Sequence, residues 1–434
     1  MIDRPKYIKK LLSVKDQDLV KIVTGVRRCG KSTLFKLYQA ELLKMGVMPE
    51  QIQDINLEDL DNEHLKEYHR LYNHIKSKLV PNKKNYVFLD EIQEADGFGK
   101  VVDSLFLKGA DVYVTGSNSK LLSGNIEHTI QRQTFKIEMY PLSFKEYLSG
   151  YHWAGHDMDR GNIEYAFSEY MKYGSFPKIL EFRDVDRITT LDKERNITAP
   201  LRDFKEDEIK TFLSGVYDRV ILKDIVENKG IQDIVRLRNI FKFMADNVGK
   251  EAISIHKMSK IMSDNGNVIN THTLENYIEA FCNCFMLYRT DRYDIRGKAL
   301  LKTQQKYYMV DSGMRRLILG GAAEDSGRIL ENIVYLELLR RGYNVYIGKM
   351  GKKAAIDGKD VQLEVDFVAE KNNTKEYYQV SWSVLGNEKT MKREYAPLEE
   401  IDDNYPKYLL TMDIGEGGQN GIKRFNILDW LLRE

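Results

Sequence analysis

Gly25-Val26-Arg27-Arg28-Cys29-Gly30-Lys31-Ser32 fits G-x-x-x-x-G-K-[ST] at every fixed position, and both flanks agree with it. Leu19 to Thr24 before it reads as a buried strand, and Ser32 to Tyr38 after it opens a helix. Strand, glycine loop and helix in that order make a phosphate cradle, where a surface turn matching by chance would lack both flanks. The glycines let backbone wrap a phosphate with no Cβ in the way, and the loop amides point inward as donors. The helix N-terminus adds partial positive charge. Lys31 is placed to reach the β- and γ-phosphates and Ser32 to hold Mg²⁺, with Gly25 through Thr33 as the binding loop. The expectation is a nucleoside triphosphate site.

Hydrolysis needs more groups, and the chain supplies candidates. Tyr86-Val87-Phe88-Leu89-Asp90-Glu91 is an apolar run ending in two carboxylates, as a strand buried on both faces should read. Asp90 at its carboxyl end is placed to hold Mg²⁺ with Ser32, and Glu91 to polarise the attacking water. Alone the pair also fits a solvated loop, but its spacing from Lys31 leaves room for two helices and a strand. Asp111 to Asn118 is a third strand ending in polar residues. Ser117 and Asn118 are candidates to contact the γ-phosphate or the water, Asn118 being favoured, with a Gly-Ser-Asn turn of no role as the alternative. Ile52 to Leu57 and Thr134 to Met139 would add two strands. The predicted fold class is α/β, a doubly wound parallel sheet over residues 1–150 with its ligand at the carboxyl ends.

Composition matters for what it excludes. At 434 residues the chain has room for about three domains. Lys plus Arg number 66 and Asp plus Glu 65, so no global field recruits nucleic acid and any basic surface is local. Three cysteines, one inside the phosphate loop, make no disulfide framework and suit a reducing cytoplasm. Cys282 and Cys284, on an apolar helix, read as buried thiols. No apolar run approaches the ~20 residues of a membrane span, so no membrane partner is expected.

Past Pro141 the pattern turns helical, and residues 151–249 read as a helical lid and linker. Residues 250–312 read as a winged helix: a helix at Ile255 to Met262, a turn, a second helix at Thr271 to Leu287, then two strands bracketing Arg296-Gly297-Lys298. The strands and their flanks carry Arg289, Arg292, Arg296, Lys298, Lys302 and Lys306 against Asp291 and Asp294, a strip suited to DNA phosphates. The second helix, however, carries Glu275 and Glu279 with no Lys or Arg, where base reading wants donors. DNA contact and a protein-packing role both stay open.

Residues 313–434 form a further α/β unit: a helix at Arg328 to Arg341, three strands, a helix at Glu388 to Glu400 and a last strand. That order resembles the restriction-endonuclease core, whose site is an Asp on the second strand and a Glu/Gln-x-Lys on the third. Asp366 fits the first position, with Glu364 beside it and Glu331 on the opening helix as a further metal ligand. Gln379 takes the acidic position and Ser381 the Lys position; Lys352 or Lys353 on the preceding loop could fill the vacancy. Losing a nucleophile-orienting group and a carboxylate should cripple phosphodiester cleavage, so a degenerate fold kept for binding or packing is expected.

Several stretches together carry a resemblance to a family. These are the phosphate loop with its double Arg, Leu89-Asp90-Glu91-Ile92-Gln93, Thr115-Gly116-Ser117-Asn118-Ser119 and Pro141-Leu142-Ser143-Phe144. Further on come Lys306-Tyr307-Tyr308-Met309-Val310-Asp311, Leu330-Glu331-Asn332 and Glu364-Val365-Asp366-Phe367-Val368. From about residue 5 to its end the chain resembles the prokaryotic AAA-type ATPases with a conserved C-terminal domain of unknown function. The resemblance implies ATP and Mg²⁺ as cofactors, ATP hydrolysis, and a homo-oligomer assembled as a ring. It also implies that Gly174-Ser175-Phe176-Pro177 stands where wider relatives seat the adenine with Gly-Gly-x-Pro, which makes Pro177 a candidate. Arg132 sits where such relatives keep an arginine finger for the neighbouring subunit; a surface arginine is the alternative. Two functions compete: an ATPase remodelling DNA or a DNA-bound complex, and a nucleotide-gated switch or scaffold in signalling or defence with slow turnover.

Overall fold

The computed structural model describes residues 1–117, 130, 132–151, 158–183, 205–227, 231–264, 266, 268–320, 325–356 and 359–433. For 302–303, 352–356 and 359–362 it describes backbone alone. Two compact units emerge, Met1–Pro141 with Asn283–Phe285, and Leu142–Cys282 with Met286–Glu434.

In the first unit, β1 (Val20–Thr24), β2 (Ile52–Asn56), β3 (Tyr86–Asp90), β4 (Asp111–Gly116) and β5 (Thr134–Glu138) pair in the order β2-β3-β4-β1-β5. Every pairing is parallel. All five strands lie where the sequence places them. β1, β3 and β4 are buried at every residue, which is why β3 reads as a continuous apolar run up to Asp90, while Lys21 of β1 and Asp111 of β4 are buried as an ion pair. Alternate side chains serve opposite faces. Ile22, Val87, Leu89, Val112 and Val114 meet Leu71 and Ile75 of α3 (Tyr68–Ser77) and Val101, Val102 and Leu105 of α4 (Phe98–Leu107). In the other set, Phe88 and Tyr113 stack at 4.7 Å and interlock with Phe35 and Tyr38 of α2 (Lys31–Lys44). Each such side chain contributes about 1.5–3 kcal/mol by burial. α1 (Pro5–Ser13) precedes β1. The sheet gathers the ends of β1, β3 and β4 at one edge, where the phosphate loop leaves β1.

The second unit opens with α5 (Phe144–Ser149), started by a capping box in which Ser143 and Glu146 bond each other's backbone N–H. Helices α6 (Arg160–Tyr173), α7 (Glu206–Arg219), α8 (Ile234–Asp246), α9 (Ile255–Asp264) and α10 (Thr271–Asn283) follow among the described residues. α10 ends at Asn283, so Cys284 lies beyond the helix expected to carry both cysteines; it is buried, while Cys282 is half-buried.

An eight-stranded sheet comes next, in the order β12-β13-β11-β10-β9-β8-β6-β7. β6 (Leu287–Asp294) and β7 (Ala299–Met309) form the expected hairpin, and Ile253 bridges Gln305 beside it. β6 also runs parallel to β8, so one sheet continues across the boundary expected at residue 312. β8 (Asn344–Ile356) and β9 (Lys359–Lys371) are longer than their apolar cores suggested, and Lys352 and Lys353 belong to β8 rather than to a loop. β10 (Thr374–Val380) and β11 (Lys407–Thr411) are parallel, with α13 (Glu388–Glu399) between them in sequence. α11 (Ser312–Leu319) and α12 (Ser326–Arg340) precede the sheet core. β12 (Gly417–Gln419), β13 (Ile422–Asn426) and α14 (Ile427–Leu432) had no clear sequence signal: β12 is fully exposed and only three residues long.

Candidate nucleotide site and a second polar cluster

Two glycines shape the loop after β1. Gly25 has φ +152°, and a Cβ there would fall 2.0 Å from the Met139 carbonyl oxygen. Gly30, at φ +108°, caps α2, which starts at Lys31. Lys31 folds back across the loop, its Nζ 3.1 Å from the Gly25 carbonyl, 3.4 Å from that of Val26 and 3.4 Å from Glu91 Oε1. Burial opposes its charge, but Glu91, Cys29 and Asp90 outweigh it and hold the ammonium above its ordinary pKa. Cys29 is buried, and burial pushes its thiol up, so it packs rather than reacts. Arg4, ahead of α1, braces the loop: it donates to the Tyr140 carbonyl at 2.6 Å and to that of Cys29 at 3.4 Å.

The β3 carboxylates sit against this loop. Asp90 accepts from the hydroxyls of Ser32 and Thr115, and burial nonetheless raises its pKa. Thr115 accepts in turn from the Glu91 backbone N–H at 2.9 Å. Glu91 adopts φ +52°, ψ +53°, a conformation that costs a residue with Cβ roughly 1 kcal/mol or more. Burial pushes its carboxyl up, but Lys31, a 2.6 Å hydrogen bond from Gln93 and the charge of Arg27 hold it below the usual glutamate value. Arg27 itself pairs with Glu58 at 2.7 Å. Val26 is buried, Thr33 lies in the first turn of α2, and Arg28 is exposed with φ +66°.

The loop, Lys31, Ser32, Asp90 and Glu91 thus come together as the sequence predicts. The group given no role of its own in the sequence is Thr115, a hydroxyl near the end of β4. Ser117 is buried just past β4, and Asn118 lies outside the described residues. Arg132 is half-buried, with Nε 3.9 Å from Asp103 and its guanidinium 5.6 Å over the Phe106 ring. A buried ammonium behind inward-turning backbone, with a hydroxyl and a carboxylate in contact, fits a triphosphate and Mg²⁺ chemically.

Residues 17–148 match the family model of an AAA domain. Residues 199–325 match that of a domain of unknown function (DUF8612). An uncharacterized protein of Haemophilus influenzae is 34% identical over 436 residues, spanning 100% of this chain and 99% of that protein. The chain belongs to that protein's family. An uncharacterized protein of Methanocaldococcus jannaschii is 29% identical over 407 residues, 92% of this chain and 82% of that one. Among solved structures, the Walker-type ATPase PABY2304 of Pyrococcus abyssi is 15% identical and matches 73% of this chain and 96% of its own. The TM-score of that match is 0.49.

In the second unit, Glu331 on α12 and Glu364 and Asp366 on β9 converge. A cation stands among them that the sequence reading assigned elsewhere. Lys306 of β7 is buried, with Nζ 2.7 Å from Glu331 Oε1 and 3.6 Å from Glu364 Oε1. Burial disfavours its charge, but Glu331, Asp366 and Glu364 outweigh that and keep it protonated. Arg292 of β6 reaches Glu364 Oε2 at 3.7 Å. Tyr308 donates to Glu331 Oε1 at 2.7 Å, and the Val380 N–H donates to Asp366 Oδ2 at 2.8 Å. Gln379 is spent at both ends, accepting from the Asp366 N–H and donating to Glu394 at 2.9 Å.

One oxygen of Glu331, one of Asp366 and both of Glu364 face the protein's own donors. No group of three His, Cys, Asp or Glu among the described residues is arranged for a metal ion. The basic strip needs the matching correction. Two of its six cations, Arg292 and Lys306, turn inward, because strand alternation aims them at the carboxylates of α12 and β9. Arg289, Arg296 and Lys298 remain exposed, and the side chain of Lys302 lies outside the described ones.

Gly174-Ser175-Phe176-Pro177 closes onto Asp311. A Cβ on Gly174 would fall 2.2 Å from Asp311 Oδ1, and the Ser175 hydroxyl donates to Oδ2 at 2.7 Å. Ser stands at the second position because that carboxylate takes its hydroxyl. Pro177 then opens a short 3-10 helix, Pro177–Phe182.

Proposed function

We propose that the AAA domain binds ATP with Mg²⁺ and hydrolyses it. The loop amides and Lys31 take the phosphates, Ser32 and Asp90 hold the metal ion, and Glu91 orients and polarises the attacking water. Held by Ser32 and Asp90, Mg²⁺ would supply neutralisation of the phosphates' negative charge. The observation that carries this reading is the meeting of Lys31, Ser32, Asp90 and Glu91 at the ends of β1 and β3. Lys31→Ala should abolish tight ATP binding, while Glu91→Gln should bind ATP and stop hydrolysis. A Glu91→Gln protein that turns ATP over at the parent rate would remove Glu91 from this role.

What the hydrolysis serves was open between remodelling DNA and a nucleotide-gated switch. The inward turn of Arg292 and Lys306, with Glu275 and Glu279 exposed on α10, leaves the winged-helix candidate a thin positive surface. That favours the switch or scaffold. ATPase rates measured with and without single-stranded and duplex DNA separate the two: a switch keeps one rate, and a several-fold rise with DNA restores the remodelling reading. Pro177 as an adenine contact and Arg132 as a trans-acting finger belong to the same proposal.

A further inference from the structure

Within the phosphate loop, Arg27 has a position that the cradle itself does not explain. It is the third residue of the loop, only 6% exposed, with Nη1 2.7 Å from Glu58 Oε1. Glu58 lies just beyond β2, next to Leu57, whose N–H donates to the Asp90 carbonyl at 3.1 Å. Its carboxylate therefore stands at the same sheet edge as Asp90 and Glu91. Lys31 of the same loop approaches Glu91 Oε1 at 3.4 Å. The loop thus carries two cations at this edge, and one of them, Arg27, is held by a carboxylate outside the loop.

A guanidinium presents a flat fork of donors that suits phosphoryl oxygens, and a doubly charged terminal phosphate attracts it more than a single carboxylate does. The Glu58 side chain is 21% exposed, so water compensates it when the pair opens. We propose that Arg27 is a γ-phosphate ligand supplied in cis, held by Glu58 in the nucleotide-free chain and surrendered to the terminal phosphate of a nucleoside triphosphate. No covalent bond changes; one ion pair replaces another. A diphosphate has no γ-phosphate to reach this position and leaves Arg27 on Glu58, so the exchange distinguishes the two nucleotide states. On the γ-phosphate, Arg27 is placed to stabilise charge developing on the γ-phosphoryl group. This inference rests on the ATPase reading above.

The test is calorimetric titration of the full chain with a non-hydrolysable ATP analogue and with ADP, for the parent, Arg27→Met and Glu58→Gln. Arg27→Met should weaken the analogue at least about tenfold and ADP by no more than about twofold. Its turnover at saturating ATP should fall by about 10³-fold. Glu58→Gln should tighten the analogue several-fold with ADP unchanged, a gain that a misfolded protein cannot imitate. Equal losses for analogue and ADP in Arg27→Met would make Arg27 a structural member of the loop and overturn the proposal. So would unchanged analogue affinity in Arg27→Met, or weaker analogue binding in Glu58→Gln. A parent chain that binds neither nucleotide sinks the ATPase reading itself, and this inference with it; a parent that binds and hydrolyses ATP while Arg27→Met matches it sinks the inference alone.

Discussion

Thr115 ties the two carboxylates of the nucleotide site to one strand. Its hydroxyl donates to Asp90 and accepts from the Glu91 backbone, so a single small side chain orients both. Thr115→Val keeps the volume and removes both bonds. It should leave ATP affinity close to parent, lower turnover by roughly 10- to 100-fold, and cost about 1–3 kcal/mol of stability through the unsatisfied Asp90 and Glu91 groups. Steady-state ATPase assays and denaturant melts check this; parent turnover in the variant would reduce Thr115 to packing. The contrast with Gly25 shows what a single residue tells in advance. Gly25 was legible because its demand is local, a backbone angle next to a phosphate loop. Thr115 was not, because its partners lie on β3, a strand that is its neighbour only in the folded sheet.

At the scale of elements, Lys306 joins the β6–β7 hairpin to α12 and β9. Asn332 adds to the join: its side chain bonds the Met309 backbone N–H at 2.8 Å and carbonyl at 2.9 Å. Lys306→Met should cost about 3–5 kcal/mol, because it strands buried carboxylates. Adding Glu331→Gln should recover part of that loss, and a double-mutant cycle by thermal or denaturant unfolding measures the coupling. If the two losses simply add, the pair does not hold the hairpin. With Gln379 at the acidic position and Ser381 at the Lys position, the same cluster should not cut DNA. Supercoiled and branched DNA incubated with the protein in Mn²⁺ should stay intact, and nicking that disappears in Asp366→Ala would overturn this reading. The sequence order of helix and strands here was readable from periodicity. The occupant of the cluster was not, since Lys306 in isolation is one more cation in a basic hairpin.

For the whole molecule, the open matter is assembly. If Arg132 acts on a neighbouring subunit, Arg132→Ala should lose most hydrolysis while keeping nucleotide affinity. Mixing it with Glu91→Gln should then restore some activity, because one mixed interface contains an intact Glu91 and an intact Arg132. Strictly monomeric behaviour on a sizing column with ATP and Mg²⁺ would exclude that role. The Arg132 contact with Asp103 is no obstacle, since a half-exposed pair at 3.9 Å is worth about 0–1 kcal/mol.

The sequence by itself determined the first unit's parallel sheet, its glycine loop and the placement of Lys31, Ser32, Asp90 and Glu91. Those features are written in short runs: apolar stretches for strands buried on both faces, and glycines where the backbone must turn tightly. Tertiary structure alone decided three things. It paired β6 with β8 and so carried one sheet across an expected domain boundary, it turned Lys306 and Arg292 inward, and it set Glu58 against Arg27. The physical reason is common to all three. A strand's neighbour, and the direction a charged side chain takes, depend on which distant carboxylate or edge the fold brings within a few ångströms, and no local pattern encodes that distance.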